Sequence, residues 1–360
     1  YFDSTYYADA SFPDSKTYKT KMEGAGTGSQ SVIALHDIFN FSFDDYLYKT
    51  VGTYVIKLKP ILGDFADGMI GQVYFSNQKY LMEINFVHEY IVLHSDTTTI
   101  ELSAYNKIDM KKQTQSRRSF EIGGEKTTEY FSRFFVPITI QINDSLRIHE
   151  DFLLDIGSGG SIDITTAIAK KYNLPSLIND KIQRYDKYGG IGGHSSNFYF
   201  NAKSIEIGGF KLDDIIMRYS EDKKGALADR QFSAGLLGNL IMERFDVVID
   251  FGDSTALYLK PNQNYENPFE FSKRGFSYSN RKETLNAWIV TGFYKDSPAE
   301  KSGLQIDDRI ISINGMNICE ISYQEEENIW EQLDKIELAV LRNGEEMRFD
   351  FELWNFQLNK

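Results

Sequence analysis

The stretch Asp151-Phe152-Leu153-Leu154-Asp155-Ile156-Gly157-Ser158-Gly159-Gly160-Ser161 decides how this chain is read. Phe152 to Leu154 is buried-strand material, so the acid behind it is presented where a strand leaves its sheet. Gly157, Gly159 and Gly160 let the backbone turn sharply, bringing amides and hydroxyls to the Asp155 carboxylate and shifting its pKa. Ser158 is placed to donate to its outer oxygen. Alone, the pattern describes equally well a strand-end turn in which Asp accepts local hydrogen bonds.

Working outward from this stretch, the chain repeats itself. Residues 24–28 read Gly-Ala-Gly-Thr-Gly and residues 190–194 read Gly-Ile-Gly-Gly-His, an offset of 166. Gly68-Met69-Ile70-Gly71 recurs as Gly235-Leu236-Leu237-Gly238, an offset of 167, and Lys79 to Phe86 recurs as Arg244 to Phe251, an offset of 165. A repeat at so constant a spacing predicts two lobes of common ancestry facing each other across a pseudo-two-fold axis. Carried back, it sets Tyr1-Phe2-Asp3-Ser4-Thr5 beside the Asp155 stretch and makes Asp3 the second candidate carboxylate.

Residues 1–96 are read as lobe one, 97–130 as a connecting segment, 131–262 as lobe two, and 263–360 as a further domain. The connecting segment holds a strand-like piece near Ile100 to Leu102 and a polar run through Gly123-Gly124. Lobe two opens with a hairpin, Phe134 to Ile142 and Leu146 to Ile148, turning at Asn143-Asp144. Thr165 to Pro175 reads as a short helix closed by proline. Lobe one lacks the hairpin, because only two residues precede Asp3; either the chain extends upstream of Tyr1 or the lobe borrows a strand. In the last domain, Phe271 to Tyr278 and Trp288 to Thr291 read as strands. Ser297-Pro298 opens a one-turn helix ending near Gly303, and Asp308 to Gly315 is a strand and tight turn. Ser322 to Leu333 fits an acidic amphipathic helix, and Lys335 to Leu353 is a hairpin turning at Asn343-Gly344.

Composition narrows the function classes. With 39 basic against 52 acidic residues in 360, the net charge is -13, which argues against nucleic-acid and anionic-membrane partners. Aromatic content of 14% suits a mainly β structure. The one cysteine, Cys319, excludes internal disulfides and reads as a small buried hydrophobe. His36, His88, His94, His149 and His194 show no metal-ligand spacing, so neither a metal nor a cofactor is expected. The glycines at 24, 26 and 28 lack the Lys-Ser/Thr and the helix of a phosphate loop. No apolar run of about 18 residues is present to cross a membrane.

The Asp-Ile-Gly-Ser motif, the Gly-rich loops and Gly-Leu-Leu-Gly resemble the pepsin/retropepsin aspartic peptidases, over about residues 1 to 260. The last 90 or so residues resemble a PDZ domain through Ser297-Pro298-Ala299, Gly303-Leu304 and Gly315. Together they look like a bacterial envelope aspartyl peptidase joined to PDZ. The resemblance implies two acid-protease β-barrel lobes in which Asp3 and Asp155 share a water and a proton, supported by Gly157, Ser158 and Ser4. Gly26, Thr27, Gly192 and Gly193 would be flaps over the substrate. Peptides or unfolded proteins would be hydrolysed without a covalent intermediate, by a monomer in the periplasm or outside the cell. Arg274, Gly275 and Phe276 would cradle a peptide C-terminal carboxylate. Both motifs depart from the family pattern: Ile156 replaces a hydroxyl residue and Thr5 replaces glycine. The alternative implied is a pseudo-peptidase, a scaffold that binds peptides without cutting them.

Overall fold

The computed structural model describes residues 1–9, 16–37, 39–43, 46–50, 52–76, 80–95, 100–122, 125–228, 233–252, 254–330, 333, 335–354 and 358. The chain is mainly β. Near the N-terminus the short strand Phe2–Asp3 runs parallel to Thr53–Ile56, which continues the antiparallel ladder of Ser29–His36 and Lys16–Glu23. Val32, Ile56 and Leu58 are buried beneath it.

A second sheet joins the two repeats. Leu81–Asn85 pairs antiparallel with Phe245–Asp250, with Glu83 opposite Val248. The repeat offset for these residues, 248 minus 83, is also 165. The paired residues are therefore repeat equivalents. Phe245 and Val247 are fully buried, and Ile84 nearly so, in the main core.

The largest sheet among the described residues has 14 strands and runs from Lys111–Ile122 through the second repeat into the C-terminal domain. Its bridge is Ile182–Asp186, which pairs with Ser195–Ile207 on one side and with Ala287–Tyr294 on the other. Beyond it, a separate core forms around Phe276, Trp288, Ile310, Leu338 and Val340. Local turn chemistry explains this domain: Asn314-Gly315 and Asn343-Gly344 both take positive φ, as two-residue hairpin turns require. Ser297 caps Pro298–Lys301, and Ser322 with Glu325 forms a reciprocal capping box on Tyr323–Ile329.

Several expectations need correction. Pro175 does not close a helix: Thr166–Lys171 ends first and Pro175 opens a second short helix, Leu174–Leu177, where its missing N–H costs nothing. The strand expected near Ile100 lies at Asn106–Asp109. Within the connecting segment, Lys111–Ile122 pairs with Glu125–Gln141 as a long hairpin, whose Gly123-Gly124 tip falls outside the described residues. The first C-terminal strand is Phe276–Arg281. Cys319 is exposed, and its neighbour Ile318 fills the core instead.

Candidate functional site

The strand Phe276–Arg281 has one partner edge and one outer edge. It pairs with Ala287–Tyr294, where Tyr278 lies opposite Val290. Val290 commits its own N–H and C=O to Asp308 and Asp307 on its far side. Tyr278 and Asn280, two residues on, therefore turn their peptide groups outward. The helix Tyr323–Ile329 belongs to the same core, and its Glu326 accepts a hydrogen bond from the Asn280 side chain.

At the start of this strand the chain is pinned in a sharp turn. Gly275 has φ 74°, and a Cβ there would lie 2.8 Å from the Ser297 Cβ, so only glycine fits. The Ser297 hydroxyl donates to the Gly275 carbonyl at 2.9 Å and accepts from the Glu300 amide at 3.2 Å. Beside the turn, the Arg274 guanidinium sits 5.1 Å from the Tyr278 ring and 5.4 Å from the Trp330 ring. Trp330 Nε1 donates to the Tyr278 hydroxyl at 3.1 Å. Burial pushes the Tyr278 phenol well up, so it stays neutral. A cation stacked on two rings beside a tight turn and a strand edge has the chemistry to take a carboxylate. Phe276 itself is buried, in edge contact with Trp330 at 5.7 Å, and offers only its main chain.

The domain meets both repeats. In the second, Arg184, Tyr185 and Asp186 pair with Tyr294, Phe293 and Gly292. The Ser277 hydroxyl donates to Asp186 at 2.6 Å, and Lys187 Nζ reaches Asp307 at 2.6 Å. In the first repeat, the contact centres on Asp64. Its amide donates to the Asn280 carbonyl at 2.8 Å, and its carboxylate takes Arg281 Nε and the Thr284 amide at 2.8 Å each.

The two strand-end acids have unlike surroundings. Asp3 is 1% exposed. Its Oδ1 accepts the Thr5 amide at 2.7 Å, and its Oδ2 accepts the amides of Leu58 at 2.8 Å and Lys59 at 3.1 Å. Burial opposes its charge, but the Thr5, Leu58 and Lys59 amides outweigh burial and hold the carboxyl below its ordinary value. Asp155 is half-buried and its Oδ1 accepts the Gly157 amide at 3.1 Å, a local turn. The Ser158 hydroxyl accepts from the Gly160 amide at 3.3 Å, and Ser4 opens the helix Ser4–Asp9. The two glycine loops meet: Thr27 N–H donates to the His194 carbonyl at 2.8 Å, and Gly28 and Gly192 bond the opposite loop at 2.7 Å each. A Cβ on Gly26 would stand 2.6 Å from the Gly193 oxygen, which is why small loops are needed there.

Comparison with known proteins bears on these observations. The PDZ domain family matches residues 289–327, and the chain contains a PDZ domain there. No curated protein sequence shows significant similarity to this chain. Among solved structures, a variant of the HtrA-type protease AlgW with a tripeptide is similar at 12% identity, over 72% of this chain and 96% of that one, with a TM-score of 0.26. AlgW with a decapeptide is similar at 12% identity, over 70% and 96%, with a TM-score of 0.22. These scores are too low to carry a catalytic assignment over to this chain.

The expectation of an aspartic endopeptidase is corrected. The similar structures named above are HtrA-type proteases, none of them pepsin-like. The reason for the correction is geometric: a catalytic carboxylate must reach water, and Asp3 is buried with both oxygens committed to main-chain donors. Of the predicted site residues, Arg274, Gly275 and Phe276 lie together at the groove. Asp64, Arg281 and Thr284 were missed, since a Gly-Asp turn at 63–64 carries no signal of a partner 217 residues away.

Proposed function

We propose that this chain is a peptide-binding protein whose C-terminal domain receives an extended peptide along the outer edge of Phe276–Arg281. The peptide adds as a strand, its main chain bonding the outward peptide groups near Tyr278. Its terminal carboxylate lies at the Arg274-Gly275-Phe276 turn, where the Arg274 cation makes a charge-assisted contact. The observation that carries this reading is the Arg274 guanidinium, set over Tyr278 and Trp330 beside the Gly275 turn. The PDZ match at residues 289–327 supports it.

Fluorescence anisotropy on the full chain tests the reading with a library of labelled peptides bearing free or amidated C-termini. Free carboxylates bind and amides do not. Arg274→Glu weakens the best peptide by about tenfold or more, the worth of one hydrogen bond to a charged group. Equal binding of amidated peptides, or an unchanged affinity in Arg274→Glu, overturns it.

The division into units at 1–96, 131–262 and 263–360 is part of the same proposal, with the first two as pseudo-symmetric lobes. Two contacts favour this: the pairing of repeat equivalents at Glu83 and Val248, and the meeting of the two glycine loops. Both lie where a two-fold axis between the lobes would pass.

A further inference from the structure

The groove strand is already met at its far end by the chain itself, and we infer that residues 58–65 close the groove in cis. The peptide that opens it carries an acid to replace Asp64. This inference rests on the peptide-binding reading above.

Asp64 makes the two kinds of contact an added strand residue would make. Its main-chain N–H bonds the outward Asn280 carbonyl at 2.8 Å, while its side chain enters a receptor at the strand's end. That receptor is complete: Arg281 Nε at 2.8 Å, the Thr284 amide at 2.8 Å, and the Thr284 hydroxyl at 2.9 Å and 3.0 Å from the two oxygens. The Asp64 side chain has 0% exposure there. Gly63 gives the close approach: with φ 82°, a Cβ on it would lie 2.9 Å from the Asn280 oxygen. Lys59 lends its carbonyl to the Ser279 hydroxyl at 2.9 Å.

The attachment is nonetheless narrow. Phe65, next in the chain, is 69% exposed, with its ring 6.3 Å from the Tyr323 ring of the groove helix. A peptide lying antiparallel along the strand with its carboxylate at Gly275 would bring the residue about four or five positions upstream to Arg281, at one strand residue per position. An acid there competes directly with Asp64. The inferred ligand is therefore a peptide with a free C-terminus and an acidic residue at about that position.

The test uses the full chain and labelled decapeptides with Asp or Asn at that position. Asp64→Asn is expected to raise affinity about tenfold over wild type, and the Asp peptide to bind about tenfold better than the Asn peptide. Gly63→Ala, which dislodges the turn and keeps the charge, raises affinity in the same direction. Circular dichroism checks that both variants are folded. On wild type, saturating peptide should speed hydrogen exchange at residues 58–65. Peptide that binds equally to wild type and both variants, with exchange at 58–65 unchanged, overturns the cis closure and leaves the groove reading standing. Peptide that binds no variant, or binds regardless of its C-terminus, removes the groove reading and this inference with it.

Discussion

The first and second repeats hold the C-terminal domain by different means. The second repeat uses a backbone ladder: Ile182–Asp186 pairs with Tyr294 to Gly292, and one continuous sheet runs across the junction. The first repeat uses a small contact centred on the Asp64 carboxylate, which takes Arg281 and Thr284, with main-chain bonds from the Asp64 amide to Asn280 and from the Ser279 hydroxyl to the Lys59 carbonyl beside it. A ladder distributes its contacts over many peptide groups and holds as a unit, whereas a contact centred on one carboxylate is weakened by the loss of that group. The difference teaches which junction is fixed and which can open. In the first repeat Asp3 also acts as an internal fastener, tying the N-terminal strand to Leu58 and Lys59, the segment that carries Asp64.

The largest effect is expected from breaking the ladder. Gly292 faces Asp186 so closely that a Cβ would lie 2.4 Å from both Asp186 Oδ1 and the Tyr185 carbonyl oxygen. Gly292→Val cannot be absorbed by a flexible side chain alone, because one of the obstructing atoms is backbone. Overpacking of this kind costs about 3 kcal/mol. Thermal unfolding should show the C-terminal domain melting as a separate, earlier step, and small-angle scattering should show an expanded particle. A variant that melts as one unit near the wild-type temperature would remove the distinction between ladder and clasp.

An intermediate effect is expected from Asp3→Asn. The carboxylate accepts three amides in a buried site, and hydrogen bonds to a charged group are worth about 1.5–3 kcal/mol each, so the substitution is expected to cost about 2–3 kcal/mol. The sign with pH follows from the lowered pKa. Asp3 stabilises fully above its ordinary value of 3.8, and this contribution is lost as pH falls through the lower folded value. Denaturant midpoints of wild type and Asp3→Asn should therefore differ clearly at neutral pH and converge as pH falls below the ordinary value and through the lower folded one. A constant difference across that range would mean that Asp3 acts by shape and not by charge.

Much of the C-terminal domain was legible because its signals are local. Asn343-Gly344, Asn314-Gly315, Ser297-Pro298 and Ser322 with Glu325 each specify a turn or cap within four residues, and the structure forms all of them. The pairing of Glu83 with Val248 joins two residues at the repeat's offset. What the residues could not convey is where a carboxylate finds its donors. Phe2-Asp3-Ser4 and Leu154-Asp155-Ile156 look alike as strand ends followed by short residues. Asp3 nevertheless takes two of its donors from 55 and 56 residues away, while the Gly157 amide that Asp155 accepts lies two residues away in its own turn. The catalytic reading assumed that both acids faced a shared water, and the amides of Leu58 and Lys59 exclude that for Asp3. Asp64 was missed for the same reason, since its partners lie more than 200 residues on.

The smallest effect sharpens the contrast between the repeats. Asp155 is half-buried, and its side chain accepts the Gly157 amide within its own turn. Asparagine keeps a carbonyl oxygen in that position and suits such turns as well as aspartate does. Asp155→Asn is therefore expected to cost less than Asp3→Asn, about 1 kcal/mol, the typical effect of a point substitution. It should also leave peptide affinity at the C-terminal groove unchanged. Chemical denaturation of Asp3→Asn and Asp155→Asn side by side measures the asymmetry directly. If Asp155→Asn proves as costly as Asp3→Asn, the second repeat also uses its strand-end acid as a fastener, and the division of labour between ladder and carboxylate falls.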